Sequence, residues 1–268
     1  MRTLKQLIQR FAVSMGYSIE KATDKDSVQA LITSLRPSST DKNLIRLGSA
    51  RDGGYLIPDD LEGVEACFSP GVGIVGVTSS FEEACAELGM KVFLADRSLV
   101  HSRKESNEFH ATDKLIGPFA TDSFMTMGDW VESALPNTKS DLLLQMDIEG
   151  AEYGAIVGMP SPLILRFRII VIEFHWLHRL WNQAYYSLAR QAFDRLLQHH
   201  TCVHIHPNNY ARIRRYGGIA IPEVAEFTFL RNDRVSRKRP AWTFPHPMDS
   251  DNSGTGPHLS LPPSWYKG

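Results

Sequence analysis

An apolar run that ends abruptly in carboxylates constrains the fold of this chain more than any other stretch. Residues 141–153 have the sequence DLLLQMDIEGAEY, and the apolar part suits a strand that is buried on both faces. Ligands bind just outside the carboxyl ends of strands in open α/β sheets. Asp147 and Glu149 are therefore predicted to lie in the functional site. The alternative is that Glu149 and Glu152 only begin the next helix, where acidic side chains favour the positive end of the helix dipole.

Length and composition narrow the classes of function. The chain has 268 residues, of which 43% are hydrophobic, so it can bury a full-sized core. Its net charge of -1 provides no basic field for tracking nucleic acid, and nucleic acid is therefore not an expected partner. Cys67, Cys85 and Cys202 are far apart and show no CxxC spacing. This pattern favours a reducing compartment, and we expect a cytoplasmic protein.

The first residues predict an amphipathic helix rather than a targeting signal. Apolar residues recur at helical spacing from Leu4 to Met15, while Lys5 and Arg10 interrupt any continuous apolar core. We expect this helix to pack on the body of the domain, with peripheral membrane contact as the alternative. No segment approaches the roughly 18 apolar residues that a membrane span needs, so no transmembrane segment is expected.

The middle of the chain alternates strands and helices. A strand at residues 65–73, a helix at residues 80–88 and a strand at residues 91–95 form a βαβ unit of nucleotide-binding type. Further strands are predicted at residues 114–116, 142–146, 169–173, 203–205 and 226–230, with a helix near residues 185–198. The last two strands have no helix-length segment between them and are expected to pair antiparallel. The predicted fold is an α/β, Rossmann-like doubly wound sheet, mostly parallel with an antiparallel final strand and with helices on both faces.

A glycine-rich turn, SPGVGIVG at residues 69–76, follows the first strand of this unit. Glycines at such a turn let the backbone approach a ligand closely. Asp96 closes the second strand, where an acid can accept hydrogen bonds from two ribose hydroxyls. Ser69, Gly71, Gly73 and Asp96 are therefore predicted to bind an adenosine-containing ligand. The alternative for Asp96 is a solvated strand end or a salt bridge to a neighbouring arginine.

Two further polar clusters follow predicted strands. Glu173 and His175 end one strand, and His204 and His206 share a face of another because they alternate with an isoleucine. In a doubly wound sheet Asp147, Glu173 and His175 end on neighbouring strands and converge in one cleft. Carboxylate and imidazole ligands would suit a divalent cation such as Mg²⁺, Mn²⁺ or Ca²⁺. The alternative is a buried Glu–His pair that merely satisfies itself by hydrogen bonding.

The segment around the carboxylates resembles a known family. DIEGAEY at residues 147–153, preceded by TMGDWV at residues 126–131 and by the strand DLLLQM, is similar to the signature of the FkbM-type methyltransferases. These are S-adenosylmethionine-dependent enzymes with a Rossmann-like fold. The resemblance runs from about residue 51 to residue 235. The SPGVG turn departs from the acid-led glycine motif usual in the superfamily, since Phe68 and Ser69 stand where an acid often lies.

The resemblance implies an activity and a cofactor. It implies S-adenosylmethionine, with Asp96 holding the ribose, and an O-methyltransferase that acts on a sugar hydroxyl in a glycolipid, polysaccharide or natural product. The acceptor is then a small molecule or an oligosaccharide. We divide the chain into an N-terminal helical segment packed on the core (residues 1–50), a methyltransferase domain (residues 51–235) and a Pro/Ser-rich C-terminal tail (residues 236–268).

Methyl transfer to a hydroxyl oxygen requires that its proton be removed. His175 or His206 could act as the general base, while Asp147 and Glu173 could support a bound cation. We predict His175, His206 and Asp147 as catalytic residues, with His175 as the base and His206 orienting the acceptor or completing the metal shell. The predicted metal ligands are Asp147, Glu173 and His175.

Two other classes of function remain as alternatives. One is an NAD-dependent oxidoreductase, which is disfavoured because no Tyr-x-x-x-Lys pair or similar hydride-site signature stands out. The other is a non-catalytic module that binds a nucleotide or a sugar. The sequence leaves the oligomeric state open.

Overall fold

The computed structural model describes residues 4–16, 19–72, 80–98, 109–136 and 139–267. Its helices are α1 (Leu4–Ser14), α2 (Lys25–Ser34), α3 (Ser80–Glu87), α4 (Met127–Ala134), α5 (Glu152–Gly158), α6 (Ser161–Ile164) and α7 (Gln183–His199). Its strands are β1 (Ser38–Thr40), β2 (Leu44–Gly48), β3 (Gly54–Pro58), β4 (Val64–Pro70), β5 (Lys91–Ala95), β6 (Phe109–Thr112), β7 (Leu115–Ile116), β8 (Phe124–Met125), β9 (Asp141–Met146), β10 (Phe167–Phe174), β11 (His200–Pro207), β12 (Ile213–Tyr216), β13 (Ile219–Pro222), β14 (Ala225–Arg231) and β15 (Lys238–Pro240).

The central sheet has seven strands in the order β11-β14-β10-β9-β4-β5-β6. The pairs from β10 to β6 are all parallel, and β14 runs antiparallel to both of its neighbours. The predicted α/β class and the antiparallel final strand are confirmed, and the order is consistent with a Rossmann-like arrangement. Because β5 lies on one side of β4 and β9 on the other, the chain changes its direction of winding between β4 and β9. A ligand crevice forms at such a point in open sheets.

Helices cover both faces of this sheet. Leu144 and Ile172 lie on the face that packs against α4, α5 and α7. Leu143 and Val171, one residue earlier on each strand, lie on the opposite face against α3 and the β2–β3 hairpin. Burial on both faces explains why these strands are continuous apolar runs rather than alternating patterns.

The strand predicted at residues 114–116 is confirmed as a strand, but it lies outside the central sheet. Residues 115–116 form β7, which pairs with β8 in a separate two-stranded sheet. The place beside β5 is taken by β6. Strand β6 ends the sheet, and its side chains are only partly buried, so its sequence carries a weak apolar signal.

The flanking segments differ in how they meet the sheet. In residues 1–50, α2 buries Val28, Leu31 and Ile32, whereas α1 has no buried side chain. The tail returns to the body, because β15 pairs antiparallel with β1 and the fully buried Trp265 donates its indole N–H to the carbonyl of Ala220 at 2.9 Å. The three-part division of the chain stays a prediction. Among the helices that the structure describes, none combines the length and the hydropathy that a membrane span requires.

Candidate active site

The loops after β4 and β9 meet at the carboxyl edge of the sheet. Gly71 has a φ of 86°, and the Asp147 N–H donates to the carbonyl of Pro70 at 3.2 Å. A Cβ placed on Gly71 would lie 1.4 Å from the backbone oxygen of Asp147. Only glycine therefore allows this approach, which fixes the position of Asp147 beside the turn.

Ser69 directs its side chain into the core. Its buried hydroxyl is hydrogen-bonded to the carboxyl group of Glu82 and to Gln145 Oε1, the latter at 2.7 Å. Burial raises the pKa of Glu82 to about 7, against the lowering effect of the Ser69 hydrogen bond. Gln145 in turn donates to the hydroxyl of Tyr55 at 3.1 Å. The Ser69 side chain is therefore engaged within the core, and its predicted role in cofactor binding stays a prediction.

Asp96 directly follows β5, one strand away from Gly71. The Gly71 N–H donates to the carbonyl of Ala95 at 3.0 Å, so the two turns are joined by a backbone hydrogen bond. Asp96 Oδ1 accepts from the Ser98 N–H at 2.7 Å. Asp96 is half-buried at the strand end. Gly73 lies outside the described residues.

On the other side of the crevice the structure brings the predicted ligands together around one imidazole. His175 Nε2 lies 3.9 Å from Asp147 Oδ1, 3.4 Å from Glu149 Oε2 and 3.5 Å from Glu173 Oε1. Asp147, Glu149 and His175 can each place one ligand atom within 4.8 Å of the others. Asp147 Oδ1 is buried without a hydrogen-bond partner among the described residues. Such a set of oxygen and nitrogen donors suits a divalent cation.

Glu149 is the member of this cluster that the predicted metal ligands do not include. It has a φ of 56°, in the left-handed region that few residues other than glycine adopt. The next residue, Gly150, also has a positive φ, and a Cβ there would lie 2.5 Å from the ring of Trp176, whose own φ is 57°. Backbone strain of this kind collects at functional sites. The Asp-x-Glu spacing after the strand is the only sequence signal for Glu149.

Glu152 connects the two loops of the cluster. Its side chain is fully buried, and Oε1 accepts from the N–H of Ile148 at 3.2 Å and of Gly150 at 2.9 Å. The same oxygen lies 3.1 Å from His175 Nδ1. In the neutral imidazole this partner assigns the proton to Nδ1, so that Nε2 faces the cluster with its lone pair. Glu152 also begins α5, so the helix-start alternative is confirmed for Glu152, whereas Glu149 lies before the helix in the preceding turn.

Burial and like charges raise the pKa values of the acids. Burial raises the pKa of Asp147 to about 7, with Glu149 and Glu152 adding to the effect and His175 opposing it. Burial also raises the pKa of Glu173 well above its usual range, as does the charge of Asp147. For His175, burial lowers the pKa, but the hydrogen bond to Glu152 and the surrounding carboxylates outweigh it and the pKa is raised. A bound cation would stabilise the ionised carboxylates.

A row of polar side chains continues from Glu173 across the outer strands. Glu173 pairs with Glu226 on β14, and Glu226 pairs with His206 on β11. Asn208 Nδ2 donates to both carboxylate oxygens of Glu173, at 3.2 and 3.0 Å, and Asn252 Nδ2 donates to Glu226 Oε1 at 2.6 Å. Each acid is thus held by an amide, and the tail supplies one of the two.

The structure separates His206 from the cluster. Two strand spacings of roughly 4.8 Å place its backbone about 10 Å from that of Glu173. Its Nδ1 lies 3.7 Å from Asp249 Oδ1, which is 2.8 Å from His204 Nε2. Burial lowers the pKa of His206, but the nearby carboxylates of Asp249 and Glu226 raise it overall. Within the described part of the chain, no hydrogen bond or ion pair joins His206 to His175, and its role stays a prediction.

Comparison with known proteins bears on the segment that carries this cluster. No curated protein matches the chain. Residues 126–209 match the model of the family described as Methyltransferase FkbM domain. That segment includes β9, α5, β10, α7 and β11, and with them Asp147, Glu149, Glu152, His175 and His206. The match confirms the resemblance to the FkbM methyltransferases over residues 126–209 and supports a methyltransferase.

Proposed function

We propose that the protein is an S-adenosylmethionine-dependent O-methyltransferase that methylates a hydroxyl of a sugar or glycoside with the help of a divalent cation. The observation that carries the proposal is the cluster of carboxylates around His175 at the carboxyl edge of the sheet. It lies in the segment that matches the methyltransferase model. Asp147 and Glu149 would hold the cation, with Glu173 or His175 completing its shell.

The crevice beside β4 is where the cofactor would bind. Gly71 brings the turn into contact with Asp147, and Asp96 stands at the end of the adjacent strand, where its carboxylate would accept the ribose hydroxyls. When bound, S-adenosylmethionine supplies an electrophilic methyl group. Holding the acceptor oxygen in line with that group provides much of the rate enhancement.

His175 is the residue that would remove the proton of the acceptor hydroxyl. Glu152 holds Nδ1, so Nε2 is the basic atom that faces the cluster. Because Nε2 has a single lone pair, it either takes the proton or completes the metal shell. These two versions differ in whether turnover survives a chelator.

Aromatic side chains beside His175 support a sugar as the acceptor. The Trp176 side chain is 42% exposed, and the Arg179 guanidinium lies over its ring at 5.6 Å and over that of Tyr185 at 5.2 Å. An exposed indole next to charged and hydroxyl groups suits the mixed apolar and polar faces of a sugar ring. Tyr186, the residue after Tyr185, packs in the core and is not part of this aromatic surface.

Calorimetric titration with S-adenosylhomocysteine and with NAD tests the cofactor. We expect the first to bind and the second not to bind. Asp96→Ala should weaken S-adenosylhomocysteine binding by about 1.5–3 kcal/mol for each hydrogen bond lost to the charged group, while Asp26→Ala, an exposed acid on α2, should not. Binding of NAD alone would indicate the oxidoreductase, and binding of neither would indicate a non-catalytic module.

Titration with Mn²⁺ tests the cation site separately. We expect Asp147→Asn and Glu149→Gln to lose the binding that the wild type shows, and the exposed Glu87→Gln to keep it. A chelator should then abolish methyl transfer. Full activity in chelator would leave His175 as a metal-free base, and Mn²⁺ binding that survives Asp147→Asn would contradict the site.

A further inference from the structure

Helix α1 exposes one continuous apolar face. Leu4, Leu7, Ile8 and Phe11 recur along one side of the helix, with exposed fractions of 72%, 54%, 49% and 69%. Met15, just beyond the helix and on the same side, is 60% exposed. Scattered exposed apolar residues are ordinary in soluble proteins, but a contiguous apolar face marks an interaction surface.

The charges around this face indicate its partner. At about 100° per residue, Lys5 and Arg10 lie on opposite edges of the apolar face. Residues 1–19 contain Arg2, Lys5 and Arg10 and no acidic residue. A helix of 11 residues is about 16 Å long, and so cannot cross a hydrocarbon core of about 30 Å. The helix is short, with apolar residues in the middle of one face and cations on both edges of that face. These features are typical of a helix that lies flat in an anionic membrane surface.

We propose that α1 docks the protein on an anionic lipid surface, with its axis in the plane of the membrane. Leu7, Ile8 and Phe11 enter the boundary between headgroups and acyl chains, and Lys5 and Arg10 meet the anionic headgroups. This inference is independent of the proposed methyl transfer, because α1 contributes no side chain to the cluster around His175. A protein groove or a second copy of the chain is the competing occupant.

Flotation of the full chain with lipid vesicles tests the proposal. We expect binding to vesicles of phosphatidylcholine with one quarter phosphatidylglycerol, much weaker binding to phosphatidylcholine alone, and a decrease with salt. Phe11→Ser should reduce the bound fraction about tenfold or more, and Lys5→Glu with Arg10→Glu should do the same. Val13→Ser is the matched control, because Val13 is 68% exposed on the opposite side of the helix. It should leave binding unchanged.

Three outcomes would overturn the proposal. The first is no binding to either kind of vesicle. The second is an equal loss of vesicle binding in Val13→Ser and Phe11→Ser, which would show that the apolar face does not mediate the binding. The third is a dimer in sedimentation that Phe11→Ser dissociates in the absence of lipid, which would identify a second copy as the occupant. Far-ultraviolet circular dichroism and S-adenosylhomocysteine binding of each variant check that the body of the protein stays folded.

Discussion

Glu152 joins the loop after β9 to the loop after β10, because one of its oxygens contacts the Ile148 and Gly150 N–H groups and His175 Nδ1. It does not belong to the group that could ligate a metal. Its effect on the site is therefore exerted through the orientation of the imidazole and of the Glu149 turn. Partners of this kind tune ligand geometry and basicity.

Replacing Glu152 by Gln should loosen both loops. The amide keeps the size of the side chain but removes the charge that favours Nδ1–H, so we expect Mn²⁺ affinity and the methyl-transfer rate to fall by roughly 10–100-fold. S-adenosylhomocysteine affinity should change little. Calorimetry and single-turnover assays measure the two effects, with the exposed Glu132→Gln on α4 as the control. Wild-type Mn²⁺ affinity in Glu152→Gln would show that the carboxylate has no part in positioning the cation ligands.

His175 and His206 should respond differently to the same substitution. His175→Ala and His206→Ala should both fold and bind S-adenosylhomocysteine, yet only the former should lose methyl transfer, by roughly 10²–10⁴-fold. The two residues differ in position, because His206 is on the outer strand β11 and lies beside Asp249 rather than in the cluster around His175. Single-turnover rates decide between them. A near-normal rate in His175→Ala would make that residue structural.

The sequence predicts part of this site for a definite physical reason. Asp147 and His175 follow buried strands directly, and the ends of neighbouring parallel strands must meet. Glu149 enters the cluster through a left-handed turn, and Glu152 through the direction of a buried side chain. The Asp-x-Glu spacing places Glu149 near the strand end, but neither its left-handed turn nor the direction of the Glu152 side chain has a residue pattern of its own. The inward direction of Ser69 was unpredictable for the same reason.

At the scale of elements, the contact between the β4 and β9 loops depends on Gly71. In Gly71→Ala the residue must keep a positive φ, and its new methyl group collides with the backbone oxygen of Asp147. In Gly89→Ala the residue must keep a φ of 82°, but its methyl group has no atom within 4 Å. We expect Gly89→Ala to cost about 1–2 kcal/mol of unfolding free energy from backbone strain, and Gly71→Ala to cost more and to abolish S-adenosylhomocysteine binding. Urea unfolding and calorimetry measure both. Equal effects of the two variants would show that the close approach is unimportant.

Buried strands were predicted well from sequence, and strands that are short, polar or only partly buried were not. Strands β9 and β10 are unbroken apolar runs, so their pattern could not be mistaken for loops. Strand β6 ends the sheet, and β1 and β15 are short and polar. Their pairing depends on partners far away in the chain, which local patterns do not encode.

For the molecule as a whole, Glu82 should make stability depend on pH. Burial raises its pKa from 4.5 to about 7 in the folded protein. A carboxyl group with a raised folded pKa stabilises the fold below its unfolded pKa, and this contribution is lost as pH rises through the folded value. Between about pH 5 and pH 8 the wild type should therefore lose about 3 kcal/mol relative to Glu82→Gln. Urea unfolding at several pH values measures this, and parallel pH profiles for the two proteins would contradict it.

Strand β14 lies between β10 and β11, although both precede it in the chain. Until residues 225–231 are in place, β10 and β11 have open edges. All side chains of β10 are buried in the folded protein. Open apolar edges pair readily with other chains, and such distant pairing forms slowly. Insertion of the last strand therefore competes kinetically with aggregation when this sheet assembles. We expect refolding yield to fall steeply as protein concentration rises; a yield independent of concentration would mean that insertion occurs before the open edges encounter one another.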